Sequence, residues 1–178
     1  AKTGDLKRLN EESSKGADPC HLVVDKLGKN VLVANYTGGN VAVLPIGEDG
    51  HIKPASDMQQ HSGKDASGKA KKPNGHSINL DRANKFAIAA DLGLDQLIIC
   101  KFDAAAGKLT PHSVAKVAPG AGPRHFAFHP TEKFAYVINE TRNTMTAFTY
   151  DAEKGTLTEI QTLSTLPAGY SGTSYTAE

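Results

Sequence analysis

The chain repeats one pattern of short strands and turns three times. Each copy has three apolar runs of strand length, then a turn of the form Gly-x-apolar, then a further strand. The unit recurs roughly every 50 residues, a length that is typical of a four-stranded propeller blade. The turn glycines that mark the repeat are Gly4, Gly50, Gly107 and Gly155. We therefore predict an all-β chain that is built from four-stranded antiparallel blades.

The local sequence supports the same fold class. The second strands of the three copies, at 30–35, 86–91 and 134–139, are mostly apolar and are bounded by Gly, Asn, Asp or Lys. No segment predicts a convincing helix. The chain has no Trp, which argues against a WD-type propeller, and its single Gly-Gly pair gives little support to a kelch-type one.

The turns also predict how the chain is divided. We expect one propeller portion over residues 1–178. Its predicted parts are the end of a blade (1–15), three whole blades (18–62, 73–117 and 120–165) and the start of another (171–178). Three blades cannot close a ring, because propellers have about four to eight. The remaining blades are expected from the same longer chain, and the alternative is that other copies of this chain supply them.

Residues 57–74 interrupt the repeat with a stretch that is rich in Gly, Ser and Lys. We predict an inserted basic loop here, which would be solvated and mobile. The alternative is that this loop forms a basic flap over an anionic ligand.

The composition is that of a soluble globular domain, with 39% hydrophobic and 22% charged residues. The formal net charge is +1, so bulk charge predicts neither a nucleic acid nor a membrane as a partner. No apolar run approaches the ~18 residues that a membrane helix needs. Cys20 and Cys100 fit no metal or redox spacing, so we expect buried free thiols and leave a disulfide open. No metal and no cofactor are predicted.

Up-and-down alternation of the strands predicts where chemistry would gather. The connection into the first strand of a blade and the turn after its second strand lie on the same rim. His76, Arg124 and His125 come at the start of first strands, while Asp91 and Glu140 come at the end of second strands. We therefore expect an imidazole, a guanidinium and a carboxylate to converge on one rim.

The repeats allow an internal comparison of these positions. We align His21, His76 and His125 with one another at the start of the first strands. Only His125 is preceded by an arginine, and only Glu140 adds a carboxylate directly after the Asn or Asp that ends a second strand. Arg124 and Glu140 are therefore candidates for function. For Glu140 the alternatives are a solvated turn carboxylate or a salt bridge to Arg142.

Three motifs in this part of the chain resemble one known family. They are Lys72-Pro-Asn-Gly-His-Ser77, Pro119-Gly-Ala-Gly-Pro-Arg-His-Phe-Ala-Phe-His-Pro130 and Tyr136-Val-Ile-Asn-Glu140. The chain resembles the lactonase family of seven-bladed β-propellers over nearly all its length. That family includes cycloisomerase-type 6-phosphogluconolactonases and fungal 3-carboxy-cis,cis-muconate lactonising enzymes. Its members are roughly twice as long, which implies that this chain is a middle portion.

The resemblance also implies roles for individual residues. His76, Arg124 and Glu140 match the family's proposed catalytic residues. We add His125, Asp91 and Asn74 as candidates for binding the substrate. Asn74 stands where many members of the family have a histidine, which puts in question whether activity and substrate are the same.

The implied activity is hydrolysis of an anionic sugar lactone, 6-phosphogluconolactone, to 6-phosphogluconate in the cytoplasm. Glu140 or His76 would activate water. Arg124 would stabilise the oxyanion or bind the phosphate. One alternative is a muconate-type lactonising or isomerising enzyme, and another is a non-catalytic propeller that binds a small ligand or a protein.

Overall fold

The computed structural model describes residues 3–178, and within that range there are fourteen β-strands and no helix. The first blade contains β1 (Pro19–Val24), β2 (Asn30–Asn35), β3 (Asn40–Pro45) and β4 (Asp57–Gln60). A small hairpin follows, with β5 (Gly63–Lys64) and β6 (Ala70–Lys71). The second blade contains β7 (Gly75–Leu80), β8 (Phe86–Asp91), β9 (Gln96–Asp103) and β10 (Lys108–Lys116). The third contains β11 (Pro123–Phe128), β12 (Phe134–Asn139), β13 (Thr144–Asp151) and β14 (Thr156–Ser164).

Each blade is a four-stranded antiparallel meander in which consecutive strands are neighbours. This arrangement confirms the predicted all-β fold with propeller-type blades. The first strand of each blade contacts the first strand of the next, as β1 does with β7 and β7 with β11. The three first strands therefore lie side by side at the inner edge of the blades.

The apolar faces of neighbouring blades pack against each other and form the core. All six residues of β8 are buried, because the second blade is covered on both faces. Burying one Leu, Ile or Phe side chain stabilises the fold by about 1.5–3 kcal/mol. Between the first and second blades the core includes Leu32, Val43, Ile78 and Leu109. Between the second and third blades it includes Ile88, Leu97, Ile99, Phe126 and Phe148.

The first and third blades are each covered on one side. On the first blade, β1 leaves Leu22 61% exposed and Val24 49% exposed. On the third blade, β14 leaves Ile160 51% exposed and Leu163 56% exposed. These strands carry core-type residues in contact with solvent, whereas β7, the first strand of the second blade, is buried or half-buried at every residue.

The inserted segment begins later than predicted. Asp57–Gln60 is not part of a loop, because it pairs with β3 as the fourth strand of the first blade. The turn at Gly50 instead closes on an isolated bridge between Ile46 and Ile52. Only after Gln60 does the chain leave the blade, and it then forms the β5–β6 hairpin.

The flanking segments form no strand where the structure describes them. Residues 3–15 lack strand pairing, although Asn10 exchanges two hydrogen bonds with the backbone of Ile52. Residues 171–178 also lack strand structure. The assignment of 1–15 and 171–178 to neighbouring blades stays a prediction, and residues 1 and 2 lie outside the described range.

The repeated turn glycine has a packing role as well as a conformational one. Gly155 joins β13 to β14 with φ near 59°, a left-handed conformation that costs little only for glycine. A Cβ at this position would lie 2.3 Å from a ring carbon of Phe86 in the second blade. Glycine therefore allows both the turn and the close approach of the two blades.

Candidate active site

A β-bulge interrupts the first strand of every blade near its start. The pairs on either side of the bulge are Pro19–Asn35 and His21–Ala34 in the first blade, Gly75–Asp91 and Ser77–Ala90 in the second, and Pro123–Asn139 and Phe126–Val137 in the third. A bulge bends the strand locally and re-aims a side chain. Counted from the pair before the bulge, the next residues are Cys20, His76 and Arg124.

This register corrects the alignment that the sequence suggested. His76 is equivalent to Cys20 and Arg124, whereas His21 and His125 are equivalent to Ser77. The predicted alignment of the three histidines is therefore wrong by one residue in the second blade. That alignment matches histidine with histidine, because the sequence does not show where the bulge adds its extra residue.

The residues that follow the second strands are also equivalent. They are Tyr36, Leu92 and Glu140. Their N–H groups donate to the carbonyls of Asp18, Asn74 and Gly122 at 2.9, 2.9 and 2.8 Å. The same backbone frame thus presents two variable side chains per blade, one at the bulge and one after the second strand.

Three predicted site residues from two blades meet on this rim. Glu140 Oε2 lies 3.0 Å from Arg124 Nε and 4.0 Å from His76 Nε2. The side chain of His76 is 11% exposed, while those of Arg124 and Glu140 are 23% and 31% exposed. The predicted convergence of an imidazole, a guanidinium and a carboxylate is therefore present, with one face open to solvent.

His125 also packs against His76. The two rings have centroids 5.4 Å apart, and the ring of His21 is 5.6 Å from that of His125. The imidazole of His125 is paired with the carboxylate of Glu178, and Arg124 Nη1 donates to the carbonyl of Ala177. The segment after the third blade therefore contacts the side chains of both Arg124 and His125.

The surroundings of His76 favour its neutral form. Burial lowers the pKa of His76 below its ordinary value, and the nearby Arg124 and His125 lower it further. Glu140 acts in the opposite direction and favours the protonated ring. Since an unperturbed histidine has a pKa near 6.5, His76 is neutral at pH 7 and can accept a proton.

Asp91 and Asn74 are used as anchors rather than as members of the cluster. Asp91 is fully buried, and its Oδ1 accepts the N–H groups of Asn74 and Leu94 at 2.8 and 3.0 Å. Its Oδ2 lies 2.7 Å from Nδ1 of His61, in the inserted segment. The side chain of Asn74 donates to the carbonyl of Tyr36 at 3.1 Å. Their predicted contact with substrate stays a prediction.

Two further residues at the site were not found by sequence reasoning. Tyr36 packs edge-on against His76, with ring centroids 5.3 Å apart. Asp95 accepts the N–H groups of Gly120 and Gly122, which belong to the turn that leads into Arg124. Tyr36 could have been found from its equivalence to Glu140, whereas nothing in the repeats points to Asp95.

Asp95 also ties the inserted segment to this turn. Lys71 of the β5–β6 hairpin donates to Asp95 Oδ2 at 2.6 Å. Burial would raise the pKa of Asp95, but the bonds from Lys71 and from the Gly120 and Gly122 amides outweigh it and lower the pKa. Asp95 is therefore held as a carboxylate that joins the hairpin to the third blade.

A cavity of about 510 Å³ lies beside this connection, between the hairpin and the second and third blades. Lys64, Lys71 and Lys116 are among the residues that line it, together with Leu94. The inserted segment thus brings basic side chains to the rim that carries the cluster. The flap over an anionic ligand stays a prediction.

Both cysteines are free thiols, but the prediction that both are buried is wrong for Cys20, which is exposed, while Cys100 is buried. Burial raises the pKa of Cys20, although Arg124 opposes this, and burial raises the pKa of Cys100 to about 11. Within residues 3–178, no three His, Cys, Asp or Glu side chains are grouped so that they could hold a metal ion. The same range has no helix long and apolar enough to cross a membrane.

Comparison with known proteins gives a consistent result. A 6-phosphogluconolactonase of Bacillus subtilis is 38% identical over 172 residues, which is 97% of this chain and 49% of the relative. One from Pectobacterium carotovorum is 35% identical over 98% of this chain and 50% of its own length. The chain therefore spans about half the length of the curated relatives it matches.

A solved structure shares the fold at similar coverage. The periplasmic gluconolactonase PpgL of Pseudomonas aeruginosa superposes with a TM-score of 0.85 and 26% identity, over 96% of this chain and 48% of that one. The family model described as "Lactonase, 7-bladed beta-propeller" matches residues 1–178. With the blades, the bulges and the rim cluster in place, this match shows that the chain belongs to the family of seven-bladed β-propeller lactonases.

Proposed function

We propose that the protein to which this chain belongs hydrolyses 6-phosphogluconolactone to 6-phosphogluconate. The observation that carries the proposal is the meeting of His76, Arg124 and Glu140 on one open rim of a lactonase-family fold. The relatives from Bacillus subtilis and Pectobacterium carotovorum that bear the name 6-phosphogluconolactonase support the choice of substrate.

In the proposed mechanism His76 is the general base. Its Nε2 and Glu140 Oε2 are 4.0 Å apart, so one water molecule can lie at a normal hydrogen-bond distance from both. The water oxygen bonds to the lactone carbonyl carbon while its proton passes to Nε2. The ring C–O bond then breaks, and the leaving ring oxygen takes the proton from the imidazolium. A base positioned in this way contributes about 10²–10⁴-fold in rate.

Glu140 supports both neighbours in this scheme. Its carboxylate favours the imidazolium that forms on His76 during the reaction. It also accepts from Arg124 Nε at 3.0 Å, which fixes the plane of the guanidinium. Arg124 then stabilises the negative charge that develops on the carbonyl oxygen of the lactone. This assigns to His76 the base role that the sequence left open between His76 and Glu140.

We also propose that this reaction takes place in the cytoplasm and that further blades complete the ring. A phosphorylated, anionic substrate and two free thiols support the compartment. The exposed apolar residues of β1 and β14 support contact with further blades, from the same longer chain or from other copies. Cell fractionation tests the compartment. An intact mass near 18.8 kDa would contradict a longer chain.

The proposed activity is tested by assaying the full-length protein against three substrates, with the spontaneous hydrolysis of each lactone subtracted. We expect turnover of 6-phosphogluconolactone. Turnover only of unphosphorylated gluconolactone would keep the reaction but change the substrate, as the name of PpgL suggests for that protein. Turnover only of a muconate, or of none of the three, would overturn the proposal.

A further inference from the structure

Tyr36 occupies a position in the first blade that is structurally equivalent to that of Glu140 in the third. Each residue directly follows the second strand, and each donates its N–H to the residue that precedes the first strand. In the second blade this position holds Leu92. The two polar side chains therefore belong to the blades on either side of the one that carries His76.

Both side chains reach His76, from opposite neighbours. The ring of Tyr36 packs edge-on at a centroid distance of 5.3 Å and an interplanar angle of 77°. Glu140 Oε2 lies 4.0 Å from Nε2 of the same imidazole. His76 thus has an aromatic ring and a carboxylate as neighbours, and both come from the same position of the repeat in the two adjoining blades.

The backbone around Tyr36 is held by the residues next to His76. Asn74 donates its side-chain N–H to the carbonyl of Tyr36 at 3.1 Å, and Asp91 fixes the backbone of Asn74 at 2.8 Å. Cys20 Sγ lies 3.3 Å from the carbonyl of His76 and so joins the first blade to the second. The position of Tyr36 relative to His76 is therefore set by contacts that link the two blades.

We propose that Tyr36 is a further residue of the active site, where its ring shields His76 from water and its hydroxyl donates a hydrogen bond to the lactone. The contact with substrate rests on the proposed function, whereas the shielding of His76 does not. The hydroxyl makes no hydrogen bond to another residue within the described range. Burial and the charge of Glu140 raise the pKa of Tyr36, so the phenol keeps its proton at neutral pH.

The shielding is tested by NMR titration of His76 in the full-length protein. The titratable or charged groups around His76 are Cys20 on β1, Tyr36 directly after β2, Arg124 and His125 on β11, and Glu140 directly after β12. In Tyr36→Leu the smaller side chain admits water, so the titration midpoint of His76 should rise toward 6.5. In Tyr36→Phe the ring remains and the midpoint should stay as in the wild type. An unchanged midpoint in Tyr36→Leu would overturn the shielding.

The contact with substrate is tested by calorimetric titration with 6-phosphogluconate. Tyr36→Phe should bind this product about tenfold more weakly, because one hydrogen bond is lost. Wild-type affinity in Tyr36→Phe would overturn the contact. A wild-type protein that hydrolyses no lactone, yet shows the shift of the His76 midpoint in Tyr36→Leu, would refute the proposed function and support the shielding. Because Tyr36→Phe removes one oxygen only, it keeps the test valid if Tyr36→Leu does not fold.

Discussion

The second and third blades share the same backbone arrangement but carry different side chains at two equivalent positions. These positions are the bulge in the first strand and the residue directly after the second strand. Both have the bulge at the start of the first strand and the same hydrogen bond after the second. At the bulge the second blade carries His76 and the third Arg124. After the second strand the second blade carries Leu92 and the third Glu140. The repeat therefore fixes the backbone geometry, while the side chains at these two positions differ from blade to blade.

The last residue of the second strand is a third equivalent position, and its hydrogen bonds differ between the two blades. Asp91 and Asn139 both end a second strand and are both fully buried. Asp91 reaches out of its blade to His61 and the backbone of Asn74, whereas Asn139 donates to Thr144 and Thr146 within its own sheet. The second blade, which carries His76, is thus linked to the inserted segment, and the third is not linked in this way.

If the difference at the bulge is functional, Arg124→Ala should have the largest effect. We expect kcat/KM for 6-phosphogluconolactone to fall by about 10²–10³-fold, as for the loss of an oxyanion donor. Arg124→Lys keeps the charge but loses the planar fork, so it should recover part of the activity. Steady-state kinetics of the full-length protein measure both. Wild-type rates in Arg124→Ala would remove Arg124 from the mechanism.

The difference after the second strand predicts a somewhat smaller effect. Glu140→Gln removes the charge that favours protonated His76 and the partner of Arg124, so kcat should fall by about 10²-fold. Leu92→Gln, at the equivalent position of the second blade, is the matched control and should change kcat by less than about threefold. Equal losses in the two variants would mean that both act through the rim structure rather than through charge.

Substitution of Asp95 weakens the link between the second and third blades and leaves His76, Arg124 and Glu140 unchanged. Asp95→Ala frees the Gly120 and Gly122 amides and Lys71, so Arg124 should be held less firmly. Because a small misplacement costs up to 10²-fold, we expect a loss of about tenfold in kcat. In the wild type, Asp95 has a lowered pKa, so its stabilising contribution is complete above pH ~4. That contribution should be lost as the pH falls through its folded pKa. Lys71→Met, which leaves both amide bonds intact, should lose less activity.

Substitution of Gly155 tests the turn geometry and blade packing that the blades share, rather than the difference between them. Gly155→Ala places a Cβ against Phe86 and strains the turn, so we expect a loss of about 1–3 kcal/mol in the free energy of unfolding. The kcat should be unchanged. Gly68→Ala is the control, because Gly68 also has a positive φ but would meet nothing within 4 Å. Denaturant titration of both variants should show the larger loss at Gly155.

The sequence predicted the repeated features well and the irregular ones poorly. Alternating apolar runs and turn glycines were sufficient for the all-β blades, and the order of strands was sufficient to bring His76, Arg124 and Glu140 to one rim. The bulge could not be seen, because one extra residue leaves the strand pattern intact while it shifts the alignment by one. The polar sequence of 57–60 lacks apolar alternation and so predicts a loop, although this segment forms the fourth strand of the first blade. Asp95 acts through backbone amides, which leave no pattern in the sequence.

In the proposed mechanism His76 and Glu140, from different blades, act as one unit in proton transfer. A double-mutant cycle on kcat/KM tests it, with His76→Asn, Glu140→Gln and the two combined. Because Glu140 also holds Arg124, its substitution should still cost some activity once His76 is gone, but clearly less than it costs in the wild type, since residues that act as a unit are non-additive. Losses that multiply fully in the double variant would show that the two residues act independently and would refute their coupling in proton transfer.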